Sequence, residues 1–101
     1  MTAKEAYTQA IEKVLGFFLT ESPNWKADVR TPKEDTGGWV KGKPDALLVI
    51  YTENGIMNPL HSDWGTGFER WQQVDKMACE LTGKRLHSEP NNGAVITVWE
   101  D

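Results

Sequence analysis

Cysteine is almost absent from this chain: Cys79 is the only one among 101 residues. A single cysteine cannot form a disulfide within the chain, and the sequence has no Asn-x-Ser/Thr acceptor for N-glycosylation. These two absences favour a reducing compartment, so we expect a cytoplasmic protein. The first residues carry no apolar core of the signal-peptide type, and no run approaches the roughly 18 apolar residues of a membrane span. We therefore expect a soluble protein that does not bind a membrane.

Positive charge is also scarce. The chain has 11 Lys and Arg residues against 15 Asp and Glu residues, which gives a formal net charge of −4. Binding to the phosphates of nucleic acids requires clustered basic side chains, and here the basic residues are dispersed. Nucleic acid is therefore not an expected partner. The content of 39% hydrophobic and 26% charged residues is typical of a globular protein, and we predict one domain over residues 1–101.

The most apolar run of the sequence covers residues 47–51. Turn residues bound it on both sides, Gly42-Lys43-Pro44 before it and Glu53-Asn54-Gly55 after it. A short apolar run between turns predicts a strand that is buried on both faces. We expect this segment to be the central strand of a sheet.

Two helices are predicted from capping boxes, Thr2-x-x-Glu5 and Thr66-x-x-Glu69. The first helix should end before Ser22-Pro23, because proline disfavours a helical residue ahead of it. The second should end at Gly83, which suits a helix C-cap. Each helix has an apolar stripe at helical spacing. The predicted stripes are Ala3, Ala6, Tyr7, Ala10, Ile11, Val14, Phe17 and Phe18 in the first helix, and Trp71, Val74, Met77, Ala78 and Leu81 in the second.

Further strands are predicted on both sides of the second helix. Apolar and charged residues alternate over residues 25–30, which predicts a half-buried strand. A single helical turn is predicted at Thr31-Pro32-Lys33-Glu34. Residues 39–41 can then pair with the central strand. Asn54-Gly55 predicts one hairpin. A second hairpin is predicted around the four-residue loop Pro90-Asn91-Asn92-Gly93, and the strand that follows this loop should lie inside the sheet. The prediction is a two-layer α+β fold in the order α-β-β-β-α-β-β. Its two helices pack on one face of a mainly antiparallel sheet of four to five strands.

Catalytic motifs are incomplete in this sequence. Residues 37–44 resemble a P-loop but have Pro44 where Ser or Thr is needed. Asp45 is not followed by the Asp/Glu-x-Lys pair of a restriction-type nuclease. Cys79 is expected on the polar flank of the second helix beside Asp75, whose negative charge disfavours a thiolate. We predict no catalytic residue and a protein that is not an enzyme.

Metal ligands are similarly sparse. The sequence offers His61, Asp63 and His87 as possible ligands, and a zinc site requires three or four donors that converge in a fixed geometry. One pair in a loop and one distant histidine do not provide this, so we predict no metal and no cofactor.

The preferred binding site is the loop of residues 61–67, which leads into the second helix. His61, Asp63, Trp64 and Thr66 carry its chemistry, since free N–H groups at a helix start attract anions and Trp64 offers a flat surface. The alternative interpretation is that Thr66 caps the helix and Trp64 covers the core.

Leu15 and Leu19 lie outside the main stripe of the first helix. The structural interpretation is that a wide apolar face of this helix packs on the sheet, and the functional alternative is a second apolar contact, such as a dimer interface.

The functional hypothesis is a small binding or regulatory protein that acts by protein–protein contact or by self-association as a homodimer. The alternative is a small-ligand pocket or a modest enzyme between the helices and the sheet, lined by Trp, Tyr and His87.

Overall fold

The computed structural model describes residues 1–21, 27–35, 46–52, 66–92 and 95–101. Their elements, in chain order, are α1 Ala3–Glu21, β1 Ala27–Arg30, β2 Leu48–Thr52, α2 Thr66–Thr82, β3 Leu86–Asn92 and β4 Val95–Glu100. The strands form one antiparallel sheet in the order β1-β2-β4-β3. This confirms the predicted α+β fold. The strand expected at residues 39–41 and the hairpin at Asn54-Gly55 lie outside the described residues.

Helix α1 begins with the predicted capping box. The backbone N–H of Glu5 donates to Thr2 Oγ1 at 3.2 Å, and the N–H of Thr2 donates to Glu5 Oε1 at 3.0 Å. The N–H of Thr2 favours the ionised carboxylate and lowers the pKa of Glu5. The helix ends at Glu21, directly before Ser22-Pro23, as expected.

Both helices pack against each other and on one face of the sheet, where they enclose the main core. The interior strands β2 and β4 contribute alternate side chains to this core, because successive residues of a strand point to opposite faces. Its buried members are Ala6, Tyr7, Ala10, Ile11, Leu48, Ile50, Trp71, Val74, Ala78, Leu86, Ile96 and Val98.

Strand β2 is buried on both faces, which confirms its predicted central position. Leu48 and Ile50 face the helices, whereas Val49 faces the opposite side, and none of the three is more than 1% exposed. On that opposite side a second apolar cluster joins Val49 to Ala46 and Val95. Strand β4, between β2 and β3, is also interior, as its two-sided apolar pattern predicts.

Helix α2 ends as the sequence predicts. Gly83 has a positive φ of 70°, and its N–H donates to the carbonyl of Cys79 at 2.9 Å. Glycine suits this position because a side chain disfavours the left-handed conformation. The predicted stripe faces the core: Trp71, Val74 and Ala78 are buried, and Met77 and Leu81 pack against them.

The predicted features around β1 are confirmed for its described residues. Ala27 and Val29 pack against the main core, whereas Asp28 is exposed. After the strand, the N–H groups of Glu34 and Asp35 both donate to the carbonyl of Thr31 at 3.0 Å. This hydrogen-bonded turn is the one predicted from the capping chemistry of Thr31.

The predicted four-residue loop at Pro90-Asn91-Asn92-Gly93 is wrong. Strand β3 continues to Asn92, and Pro90 pairs with Ile96 of β4, with a register shift between Pro90 and Asn92. Proline fits here because β3 is an edge strand of the described sheet, where a missing N–H need not interrupt a ladder. The register shift accommodates the extra residue, as a β-bulge does.

Candidate functional site

Most residues of the predicted binding site lie outside the part of the chain that the structure describes. His61, Asp63 and Trp64 lie in the undescribed range 53–65. Thr66 is the first residue of α2, and Leu15 and Leu19 lie within α1, but the side chains of these three are not described. The interpretation of residues 61–67 as a binding loop and of α1 as a dimer surface therefore stays a prediction.

A different site lies on the sheet face opposite the helices. His87 of β3 pairs across the sheet with Trp99 of β4. Among the described residues, His87, Glu89, Trp99 and Glu100 line a surface hollow of about 380 Å³. Together with Asp101, which contacts His87, we call these residues the Trp99 surface. From the sequence alone, His87 is expected only as a possible metal ligand or as pocket lining.

Trp99 is held in place although it is only half-buried. Its indole packs against the cluster of Ala46, Val49 and Val95. The indole N–H donates a 3.0 Å hydrogen bond to Thr97 Oγ1, two residues earlier on the same face of β4. The remaining part of the ring reaches solvent. This agrees with the expectation that a tryptophan, being large, rarely hides completely.

Two carboxylates flank the imidazole of His87. Its Nε2 lies 3.2 Å from Glu89 Oε1, and its Nδ1 lies 2.6 Å from Asp101 Oδ1. The Nδ1 contact is close but lacks hydrogen-bond geometry, so it acts as an ion pair when His87 is protonated. The two carboxylates contact different nitrogens of the ring and therefore do not converge on one point with it. Within the described ranges, no three His, Cys, Asp or Glu side chains form a metal-binding group.

A second polar cluster lies partly buried where α1, α2 and β3 meet. The hydroxyl of Tyr7 donates to Asp75 Oδ1 at 2.6 Å, and Ser88 Oγ donates to Asp75 Oδ2 at 3.0 Å. Burial raises the pKa of Asp75, and the hydrogen bonds from Tyr7 and Ser88 act in the opposite direction. Burial and the nearby charge of Asp75 raise the pKa of Tyr7 well above its ordinary value. Tyr7 therefore keeps its proton, and the cluster links three elements.

Cys79 lies on the same flank of α2 as Asp75, as expected, but β3 covers this flank. Its Sγ lies 3.2 Å from both the N and the O atom of Leu86, and the side chain is half-buried against the core. Asp75, one turn earlier, is also half-buried, whereas Gln72 is exposed. The reason is that β3 runs along this flank of α2 and supplies polar partners there.

A third set of polar contacts joins the turn after β1 to the sheet. Asp35 is only 4% exposed and accepts a 2.7 Å hydrogen bond from the hydroxyl of Tyr51. The guanidinium of Arg30 lies 4.9 Å above the ring of Tyr51, 2.6 Å from Asp28 and 3.7 Å from Asp35. The hydrogen bond to Asp28 raises the pKa of Arg30. The guanidinium of Arg30 therefore has both its carboxylate partners and its aromatic contact within the same molecule.

No family model, curated protein or solved structure matches the chain. Among the described helices, none combines the length and the apolar character that crossing a membrane requires.

Proposed function

We propose that this protein is a non-enzymatic binding module that acts by contact with another protein, and that the Trp99 surface is part of the contact. The half-buried indole of Trp99 is the observation that supports this proposal most. Tryptophan is enriched at protein interfaces and among the residues that dominate binding energy, because it buries a large area with few rotatable bonds.

The rigidity of the surface also favours binding. Trp99 lies on an interior strand, and its indole N–H is already bonded to Thr97. A side chain that is fixed before binding loses little conformational entropy when a partner covers it. The same side chain on a loose terminus would be a weaker anchor.

Strand addition at the described sheet edges is a poorer explanation of partner binding. Edge strand β3 contains Pro90, which lacks an N–H, and a register shift follows it. Edge strand β1 has four residues and carries the charged side chains of Asp28 and Arg30. Short, charged or bulged edges discourage pairing with another strand. We therefore propose recognition through side chains of the sheet face.

Self-association remains a form of this proposal. A second, smaller hollow of about 280 Å³ lies on the helical side and is lined by Val14, Gln73, Lys76, Met77 and Glu80. Leu15 and Leu19 follow Val14 in α1, where the sequence predicts a dimer interface. Sedimentation at increasing protein concentration tests this form.

A small-ligand site is the second candidate function. The hollow beside Trp99 has about 380 Å³, within the range of roughly 300 to 1,000 Å³ typical of ligand pockets, and contains an imidazole next to a carboxylate. This alternative predicts that a small molecule copurifies with the protein and is lost from the variant His87→Ala.

Affinity capture from the native host tests the main proposal. We expect one or more proteins to be retained by the wild type and by the control Gln72→Ala, which changes an exposed residue of α2 that lines neither hollow. Trp99→Ala should retain them at least about tenfold less, as expected for removal of an anchor worth about 1.4 kcal/mol or more. Because Trp99→Ala also removes core contacts, His87→Ala serves as a second, milder variant. Equal retention by all four proteins would contradict the proposal.

A further inference from the structure

We draw no further inference here: the strongest candidate, the hollow on the helical side of the molecule that is lined, among the described residues, by Val14, Gln73, Lys76, Met77 and Glu80, carries none, because nothing in the structure shows what covers it.

Discussion

The hydroxyl of Tyr7 and the carboxylate of Asp75 are joined by a 2.6 Å hydrogen bond across 68 positions of the chain. Ser88 donates to the other oxygen of the same carboxylate at 3.0 Å. One carboxylate thus connects α1, α2 and β3. A buried charge requires such partners, because an isolated one is costly to remove from water.

Removing the Tyr7 hydroxyl should destabilise the fold. Tyr7→Phe keeps the ring in the core but leaves Asp75 with one hydrogen bond fewer, which should lower the free energy of unfolding by about 1 to 3 kcal/mol. Urea denaturation measures this change. Thr8→Val is a matched control, because it removes a hydroxyl from an exposed residue of the same helix. Equal urea midpoints for Tyr7→Phe and the wild type would contradict the prediction.

Asp75 should make stability depend on pH in an unusual direction for an acid. Because its pKa is raised in the folded state, the folded protein holds this proton more tightly than the unfolded chain does. The free energy of unfolding should therefore fall as pH rises from 3.8, the ordinary pKa, through the raised value. At a pH above the raised pKa, Asp75 is ionised in the folded protein, and burial of its charge destabilises the fold to the full extent.

Asp75→Asn tests this dependence. The carboxamide can still accept from Tyr7 and can donate to Ser88, so the contacts persist without the charge. At neutral pH the variant should be at least as stable as the wild type, and it should lose less stability than the wild type as pH rises from 3.8. Urea denaturation over a pH series measures both. A variant that is less stable at neutral pH and parallels the wild type at every pH would contradict the assignment.

Lys4 and Glu34 should show the opposite dependence. Lys4 Nζ donates to both carboxylate oxygens of Glu34 at 2.9 and 2.7 Å, and with the N–H of Thr31 it lowers the pKa of Glu34 from 4.5 to about 2. The resulting stabilisation should be present above pH 4.5 and lost as pH falls towards 2. Because the pair is exposed, we expect a small contribution to stability.

A direct measurement is the carboxyl titration of Glu34 by NMR. Lys4→Met should move the pKa of Glu34 back towards 4.5, because the first cause of the shift is removed. Lys13→Met, an exposed change on the same helix, should leave the titration unchanged. An unaltered titration in Lys4→Met would show that the pair does not persist in solution.

Gly83 should tolerate asparagine better than alanine. Its φ of 70° is left-handed, and a Cβ built there meets no atom within 4 Å, so the cost is confined to the backbone. Gly83→Ala should lower the free energy of unfolding by about 1 kcal/mol, and Gly83→Asn by less, since asparagine enters this conformation more readily. Lys84→Ala is the adjacent control. Thermal denaturation ranks the stabilities of Gly83→Ala, Gly83→Asn and Lys84→Ala. Equal melting temperatures for the alanine and asparagine variants of Gly83 would argue against a left-handed cap.

The sequence predicts the features that depend on neighbouring residues. The capping box of Thr2 and Glu5, the C-cap at Gly83 and the buried strand around Val49 each follow from a few consecutive side chains, and each is confirmed. The fold class then follows, because two amphipathic helices and an apolar strand have few ways to bury their apolar faces.

The candidate site could not be predicted in the same way. His87 lies beside Trp99 only because β3 and β4 pair in one particular register. Pro90 favours a loop in the sequence, whereas an edge strand accommodates it. Asp75 similarly has its partners on two other elements. Such contacts depend on how the elements pack, which local chemistry does not determine. The prediction of a binding loop at residues 61–67 rests on local chemistry alone.

The position of Cys79 has a practical consequence. Its sulfur contacts the backbone of Leu86 between α2 and β3, and the chain has no other thiol. An alkylating reagent must break these contacts to reach the sulfur in full, so the rate of modification reports how often β3 separates from its helix. The native protein therefore carries its own probe of local opening, and covering β3 with a bound partner should slow that reaction.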